Sequence, residues 1–228
     1  MIFGVLGDIH GDFETARRIM ERHGDDVPSW LCVGDLATAD GGYEALPAPL
    51  HWIKGNNENF DAIADWDAPG LTGRVCANLH YIPNGQRILI RGLAVAGLGG
   101  TFAPTMYDVA AADLPHPTKS SAKATALADR RRHFVREEVD ACKAMRAVDV
   151  FLSHEAPRPF RVHRGIDAGK TPLNEILDAM KPRLHLFGHH HTFVAGTAQG
   201  VPSICLDLVS TSYLLIDRNT LKYQHLPS

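Results

Sequence analysis

The 228-residue sequence predicts an α/β protein. Three observations carry that expectation. Short apolar runs recur and end on a small residue followed by a polar one, stretches at helical spacing separate several of them, and 45% hydrophobic content over this length supplies a sizeable core. Residues 1–228 are expected to form one domain, because no repeat, low-complexity tract or long linker divides them.

Ile2 to Leu6 is an apolar run that stops at Gly7-Asp8, so it reads as a buried strand delivering Asp8 and His10 from its carboxyl end. Phe13, Ala16, Ile19 and Met20 then recur at helical spacing, with Gly24 as the stop. Trp30 to Val33 and His51 to Lys54 are two further strands, ending on Gly34-Asp35 and Gly55-Asn56. Strand, polar motif and loop in repetition suit a sheet that gathers its chemistry beyond the carboxyl ends of its strands. Leu79 to Ile82, Arg87 to Ile90 and Leu93 to Ala96 are closely spaced strands, and Asn84-Gly85 predicts a hairpin between the first two. Thr101 to Ser121 is rich in Pro, Ala and small polar residues and reads as an irregular excursion. Lys123 to Ala147 lacks Pro and Gly and predicts a long helix that would carry His133. Val148 to Leu152 is a strand leading to Ser153-His154, Leu173 to Met180 a helix stopped before Pro182, and Leu184 to Phe187 a strand leading to Gly188-His189-His190-His191. Four short strands, Phe193 to Ala198, Val201 to Leu206, Ser212 to Ile216 and Leu221 to His225, follow.

A formal net charge of -3 gives no global basic footprint, so no long duplex nucleic acid is expected as a partner. No apolar run is long enough to span a bilayer, which argues against a membrane role. The opening residues run straight into the first motif and leave no room for a signal peptide. Cys32, Cys76, Cys142 and Cys205 lie far apart without a CxxC pair, which argues against a zinc ribbon and a disulfide framework and points to a cytoplasmic setting.

Five motifs place seven potential metal ligands along the chain: Asp8-x-His10, Gly34-Asp35, Gly55-Asn56-Asn57-Glu58, Ser153-His154 and Gly188-His189-His190-His191. Singly, each is compatible with an ordinary turn, cap or Asx-turn. Together, with glycine before the polar residue in four of them, they describe a site for two adjacent divalent cations. Imidazole, carboxylate and amide oxygen suit manganese, iron, zinc or nickel better than magnesium or calcium. Asp8 and Asp35 are the only anionic members, so two divalent ions would leave a formal charge of +2, which recruits an anion and acidifies a bridging water to a hydroxide nucleophile. Phosphate ester hydrolysis is the reaction such a site serves.

The order and spacing of these motifs resemble those of the calcineurin-like metallophosphoesterases. The resemblance implies a fold of two mixed β-sheets sandwiched between helices. Position by position, it also implies that Asp8, His10 and His191 hold one metal and Asn56, His154 and His189 the other, with Asp35 bridging and catalytic. One position departs from the family pattern: Asn57 stands where most members carry a histidine that protonates the leaving oxygen or stabilises the transition state. An amide donates a hydrogen bond but is no general acid at neutral pH. Phosphodiesters with activated leaving groups, strained cyclic phosphates or self-assisting substrates are therefore favoured over alkyl monoesters. A phosphomonoesterase or phosphoprotein phosphatase stays open if another histidine substitutes, with His190, His163 and His133 as candidates, and so does a non-catalytic interaction scaffold.

Two basic clusters are candidates for anion binding. Arg158, Arg161, Arg164 and Lys170 against Asp167 give +3; Lys119, Lys123, Arg130, Arg131, Arg132 and Arg136 against Asp129 give +5. Because the first follows His154 closely, Arg158, Arg161 and His163 are expected, with Asn57, to meet the substrate. The stretch from Tyr81 through Gly92 to Gly100, then Arg131-Arg132-His133-Phe134 and Val148 to Pro157, is similar in order and spacing to the RNA lariat debranching branch of the family, which implies a nucleotide or short RNA phosphodiester as substrate class. Asp8 stands where that branch typically carries cysteine, and Asn57 where it keeps histidine.

Overall fold

The computed structural model describes residues 1–67, 76–115, 129–162 and 165–228. Two six-stranded mixed sheets face each other. In the first, β1 (Ile2–Leu6), β2 (Trp30–Cys32), β3 (Leu50–Trp52) and β4 (Leu79–Tyr81) run parallel, and β13 (Ser212–Asp217) and β14 (Tyr223–Pro227) extend it antiparallel beyond β1. In the second, β6 (Leu93–Leu98), β9 (Val150–Ser153), β10 (Leu184–Phe187) and β12 (Val201–Cys205) are parallel, with β5 (Arg87–Ile90) and β11 (Val194–Ala198) as antiparallel edges.

Alternation along the strands explains the layering. Phe3, Val5 and Leu31 of the first sheet meet Val95, Val150, Leu152, Leu184 and Leu186 of the second in a core between the sheets. The opposite faces are apolar too, because helices cover them. Trp30, Cys32 and Trp52 pack against α1 (Phe13–His23) and α2 (Phe60–Asp67), while Ala96, Leu98 and Phe151 pack against α3 (Arg136–Ala144) and α4 (Thr171–Met180). This is the helix–sheet–sheet–helix sandwich that the resemblance implies. α1 buries Phe13, Ala16, Ile19 and Met20; the Asp12 side chain accepts from Thr15 N at 3.1 Å to cap its start, and Gly24 ends it at φ 48°.

Two sequence expectations need correction. Asn84-Gly85 makes no hairpin, since β4 and β5 belong to different sheets and the chain crosses between them here. The Asn84 side chain is bound to the backbone of Gly99, accepting from its N–H at 2.6 Å and donating to its carbonyl at 3.1 Å. The hairpin lies one step later, between β5 and β6, at Arg91 and Gly92, both at positive φ as a two-residue turn requires. The described residues of 123–147 do not form the single long helix expected there either. They hold a 3-10 turn at Arg130–Arg132, a short strand β8 (His133–Phe134) beside β7 (Thr101–Phe102), and then α3; residues 123–128 lie outside the described residues. Helix propensity is a weak prior that burial overrides here: Phe134 is fully buried beside Phe102, and His133 Nδ1 lies 3.0 Å from Thr101 Oγ1. In the Thr101–Ser121 excursion, the described residues hold β7 and a 3-10 turn at Ala111–Asp113, and 116–121 lie outside them. Among the described residues no helix is long and apolar enough to cross a membrane, and all four cysteines are free.

Candidate metal centre

The site lies where the carboxyl ends of the central parallel strands of both sheets meet. β1 delivers Asp8 and His10, β2 delivers Asp35, β3 delivers Asn56 and Asn57, β9 delivers His154, and β10 delivers His189 and His191. Asp8, His10 and His191 bring three ligand atoms within 4.8 Å of one another, and Asp8, Asp35 and His154 do the same. Two groups sharing Asp8 and lying against Asp35 thus come from sequence positions far apart.

The glycines before the ligands are there for space. A Cβ at Gly34, itself at φ 111°, would come within 2.8 Å of His154 Nδ1 and of Gly55 N, and one at Gly188 would collide with the Asp8 carboxylate. Four proposed ligands adopt left-handed backbone: His10 at φ 47°, Asp35 at 53°, His189 at 68° and His191 at 47°. Such conformations cost a non-glycine residue about 1 kcal/mol or more each, and they persist where the surrounding structure over-determines them. Asp35 shows how: its carbonyl accepts from Ile9 N at 3.0 Å and His10 N at 2.7 Å, tying the β1 and β2 loops together.

Asp35 is the hub. Its carboxylate accepts from Asn57 N at 2.7 Å and Asn57 Nδ2 at 2.8 Å, and its Oδ2 lies 3.6 Å from both His10 Nε2 and His154 Nε2. Burial pushes its acidity toward the neutral form, but the His154 and His10 imidazoles and the two Asn57 donors outweigh it and hold the carboxyl below its ordinary value. His154 is fully buried, with Nδ1 2.9 Å from the Val33 carbonyl and Nε2 3.2 Å from Asn56 Oδ1. The carbonyl fixes the proton on Nδ1 and leaves Nε2 directed at the site, the arrangement of a metal-ligating histidine. Asp8 accepts from His189 N at 3.1 and 3.2 Å and meets His191 Nε2 at 3.1 Å. His10 Nε2 and His191 Nε2 face each other at 3.1 Å, and one proton at most can lie between two such nitrogens. Two lone-pair donors converging beside two carboxylates form a donor set that fits divalent transition cations. His189 stands outside both groups; its ring packs edge-on against His154 at 4.9 Å, and burial followed by the His154 charge pushes it down to about 3.

Sequence reasoning missed the clamp beneath the site. Glu58 accepts from Leu36 N, Ala37 N, Gly55 N and Tyr43 Oη at 2.9–3.3 Å, locking the loop after β2 to the loop after β3. Burial and then the Asp35 charge raise it to about 7. Glu58 was visible within its motif, whereas nothing in the sequence singles out Tyr43. Of the histidines proposed as substitute acids, the two described ones are poorly placed. His190 is turned onto Phe160, ring to ring at 4.6 Å, and burial pushes it to about 4. His133 sits in β8 rather than on a helix, and burial with the Arg132 charge pushes it to about 4 as well. His163 and Arg164 lie outside the described residues. Arg158 pairs with Asp167 at 2.9 Å and Arg161 donates to the Gly165 carbonyl at 3.0 Å, so the hydrogen bonds of both side chains run within their own loop.

The sequence model of the calcineurin-like phosphoesterases matches residues 1–193. The lariat debranching enzyme of Schizosaccharomyces pombe is 26% identical over 204 residues, covering 81% of this chain and 42% of that enzyme. The chain therefore spans less than half the length of that relative. Among solved structures, a Thermus thermophilus protein superposes with a TM-score of 0.63 at 14% identity, covering 99% of this chain and 98% of that one. An archaeal phosphodiesterase superposes with a TM-score of 0.51 at 11% identity over 100% of both chains. At such identities the likeness is one of fold.

Proposed function

The chain belongs to the calcineurin-like phosphoesterases, a family with a dinuclear divalent metal centre, and from that premise we propose that it is a metal-dependent phosphodiesterase acting on a nucleotide or short nucleic-acid phosphodiester. The proposal takes residues 1–228 as one domain, with Asp8, His10, Asp35 and His191 holding one cation and Asp35, Asn56, His154 and His189 the other. Manganese is the favoured occupant, with iron, zinc or nickel compatible with the same donors. When bound, the cations supply Lewis-acid polarisation of the phosphoryl group and acidification of water. The chain itself supplies position: Asp35 joins the two halves, the Val33 carbonyl fixes the His154 tautomer, and Glu58 holds the loops that carry Asp35 and Asn56.

The observation that carries the diester preference is Asn57. Both its backbone and side-chain N–H groups are directed at Asp35, and its amide has no proton to give a leaving oxygen. His133 and His190, both held near 4, are neutral at pH 7 and offer no imidazolium in its place. General acid catalysis contributes about 10² to 10⁴-fold, so substrates with poor leaving groups suffer most. Similarity to a lariat debranching enzyme supports a nucleotide diester as the substrate class, and the four free cysteines support a reducing, cytoplasmic setting.

Matched aryl phosphate monoester and diester substrates, offered to metal-stripped protein resupplied with manganese, nickel, zinc or magnesium, test this reading. Diester turnover restored by a transition metal is the expected result. Monoester preference would overturn the role given to Asn57, and silence on both esters under every metal would overturn the hydrolase reading.

A further inference from the structure

The turn before β8 and the first residue of α3 carry four arginines that the structure treats differently. Arg131 is spent on carboxylates, meeting Asp129 at 2.6 Å and Asp61 at 2.8 Å. Arg136 is spent on Asp108 and covers the Tyr107 ring at 4.5 Å. Arg130 is exposed. Arg132 is half-buried, yet its Nε is shut off from solvent without a hydrogen-bond partner, and among the described residues no carboxylate lies within ion-pair distance. A buried guanidinium nitrogen left unpaired is costly and rare, and calls for a partner that the described residues do not provide.

Its position is fixed from the metal-centre side. Lys54 Nζ donates to the Arg131 carbonyl at 2.9 Å, and Lys54 immediately precedes Gly55, Asn56 and Asn57. Gly100 N donates to the Lys54 carbonyl at 2.7 Å, and a Cβ at Gly100 would press on the Arg132 carbonyl at 2.6 Å. The turn is thus bolted to the loop that carries Asn56 and Asn57. Burial lowers the Arg132 guanidinium from its ordinary value, and the strongest charge acting against that is the Asp35 carboxylate. The arginine lies within electrostatic reach of the hub of the centre while making no salt bridge to it.

We infer that Arg132 is a substrate-binding residue whose guanidinium takes the phosphoryl oxygens of the ester, a cationic fork on the turn bolted to the loop that carries Asn57. The inference rests on the phosphoesterase reading of the same site. A guanidinium suits the task because its planar donors match phosphate oxygens two at a time and its charge persists at every working pH. For the same reason it yields no proton to a leaving group. Charge without acidity is the combination that serves a diester better than an alkyl monoester, in line with Asn57.

The test compares wild type, Arg132→Lys and Arg132→Met, each loaded with manganese and checked for metal content by elemental analysis. Binding of inorganic phosphate is measured by calorimetry, alongside aryl diester turnover with and without added guanidinium ion. The expected result is full metal content in both variants and phosphate binding weakened about tenfold or more in Arg132→Met, the scale of a lost charge-assisted hydrogen bond. Arg132→Lys should fall between, and guanidinium should restore part of the Arg132→Met turnover. Unchanged phosphate affinity with metals retained, loss of metal in Arg132→Met, or no phosphate binding by wild type would each overturn the inference. If wild type binds phosphate in an Arg132-dependent way but hydrolyses neither ester, the anion site stands and the hydrolase reading falls.

Discussion

The two halves of the candidate centre are built in opposite ways. On one side His154 has 0% of its side chain exposed, Asp35 and Asn56 are buried, and backbone groups set them in place: the Val33 carbonyl on His154, and Asn57 N on Asp35. On the other side the His10 and His191 side chains are 33% and 42% exposed, and they meet nitrogen to nitrogen with Asp8 as their common neighbour. One half is buried and held by backbone groups; the other is partly exposed. The difference teaches that affinity and rigidity need not be spread evenly over a two-cation site, because ligands locked by buried backbone carbonyls lose little freedom when a cation arrives.

Breaking the link between the halves should have the largest effect. Asp35→Asn removes the charge that both lie against, and diester turnover should fall by at least about 10³-fold, given several kcal/mol of transition-state stabilisation at about 1.4 kcal/mol per decade. Activity within tenfold of wild type, measured with saturating manganese, would contradict this. The halves should next separate by stability. His154→Ala leaves the Val33 carbonyl without its donor in a buried place and should destabilise the metal-free protein by about 2–3 kcal/mol, whereas His191→Ala should stay within about 0.5 kcal/mol in urea unfolding.

The buried side continues behind β9, where His185 lies between Ser153 Oγ at 2.8 Å and Ser203 Oγ at 3.3 Å, and burial pushes it to about 3. Its folded value is depressed below the unfolded one, so the unfolded chain binds the extra proton between about pH 6.5 and pH 3. The stability that neutral His185 contributes is therefore present above about pH 6.5 and lost as the pH falls toward 3, roughly 2 kcal/mol between pH 7 and pH 5. His185→Gln should flatten that slope in unfolding midpoints compared at pH 7 and pH 5. The smallest effect sharpens the chemistry: Asn57→His should raise monoesterase relative to diesterase activity by about tenfold or more, as a restored acid would. An unchanged ratio would place position 57 away from the leaving group.

The same contrast marks what the sequence made legible. The places of candidate ligands at strand ends, such as Asp8 after Ile2–Leu6 and His154 after Val150–Ser153, were readable because an apolar run that stops at a small residue is a local signal. The order of the motifs, through the family resemblance, carried the pairing of two sheets. Structure that depends on distant partners was not readable. Asn84-Gly85 is a hairpin signal that the chain spends on Gly99, and among the described residues before α3 the expected helix yields to the burial of Phe134 and the contact of His133 with Thr101. Tyr43 gains its place from a contact with Glu58 that no spacing encodes.

A built half and an exposed half should each hold one cation. Calorimetric titration of metal-stripped wild type and His191→Ala with manganese tests it most directly. The account predicts two ions per chain in wild type, bound with distinct affinities, and one in His191→Ala with the tighter site retained. A single ion in wild type, or the loss of both together in the variant, would contradict it.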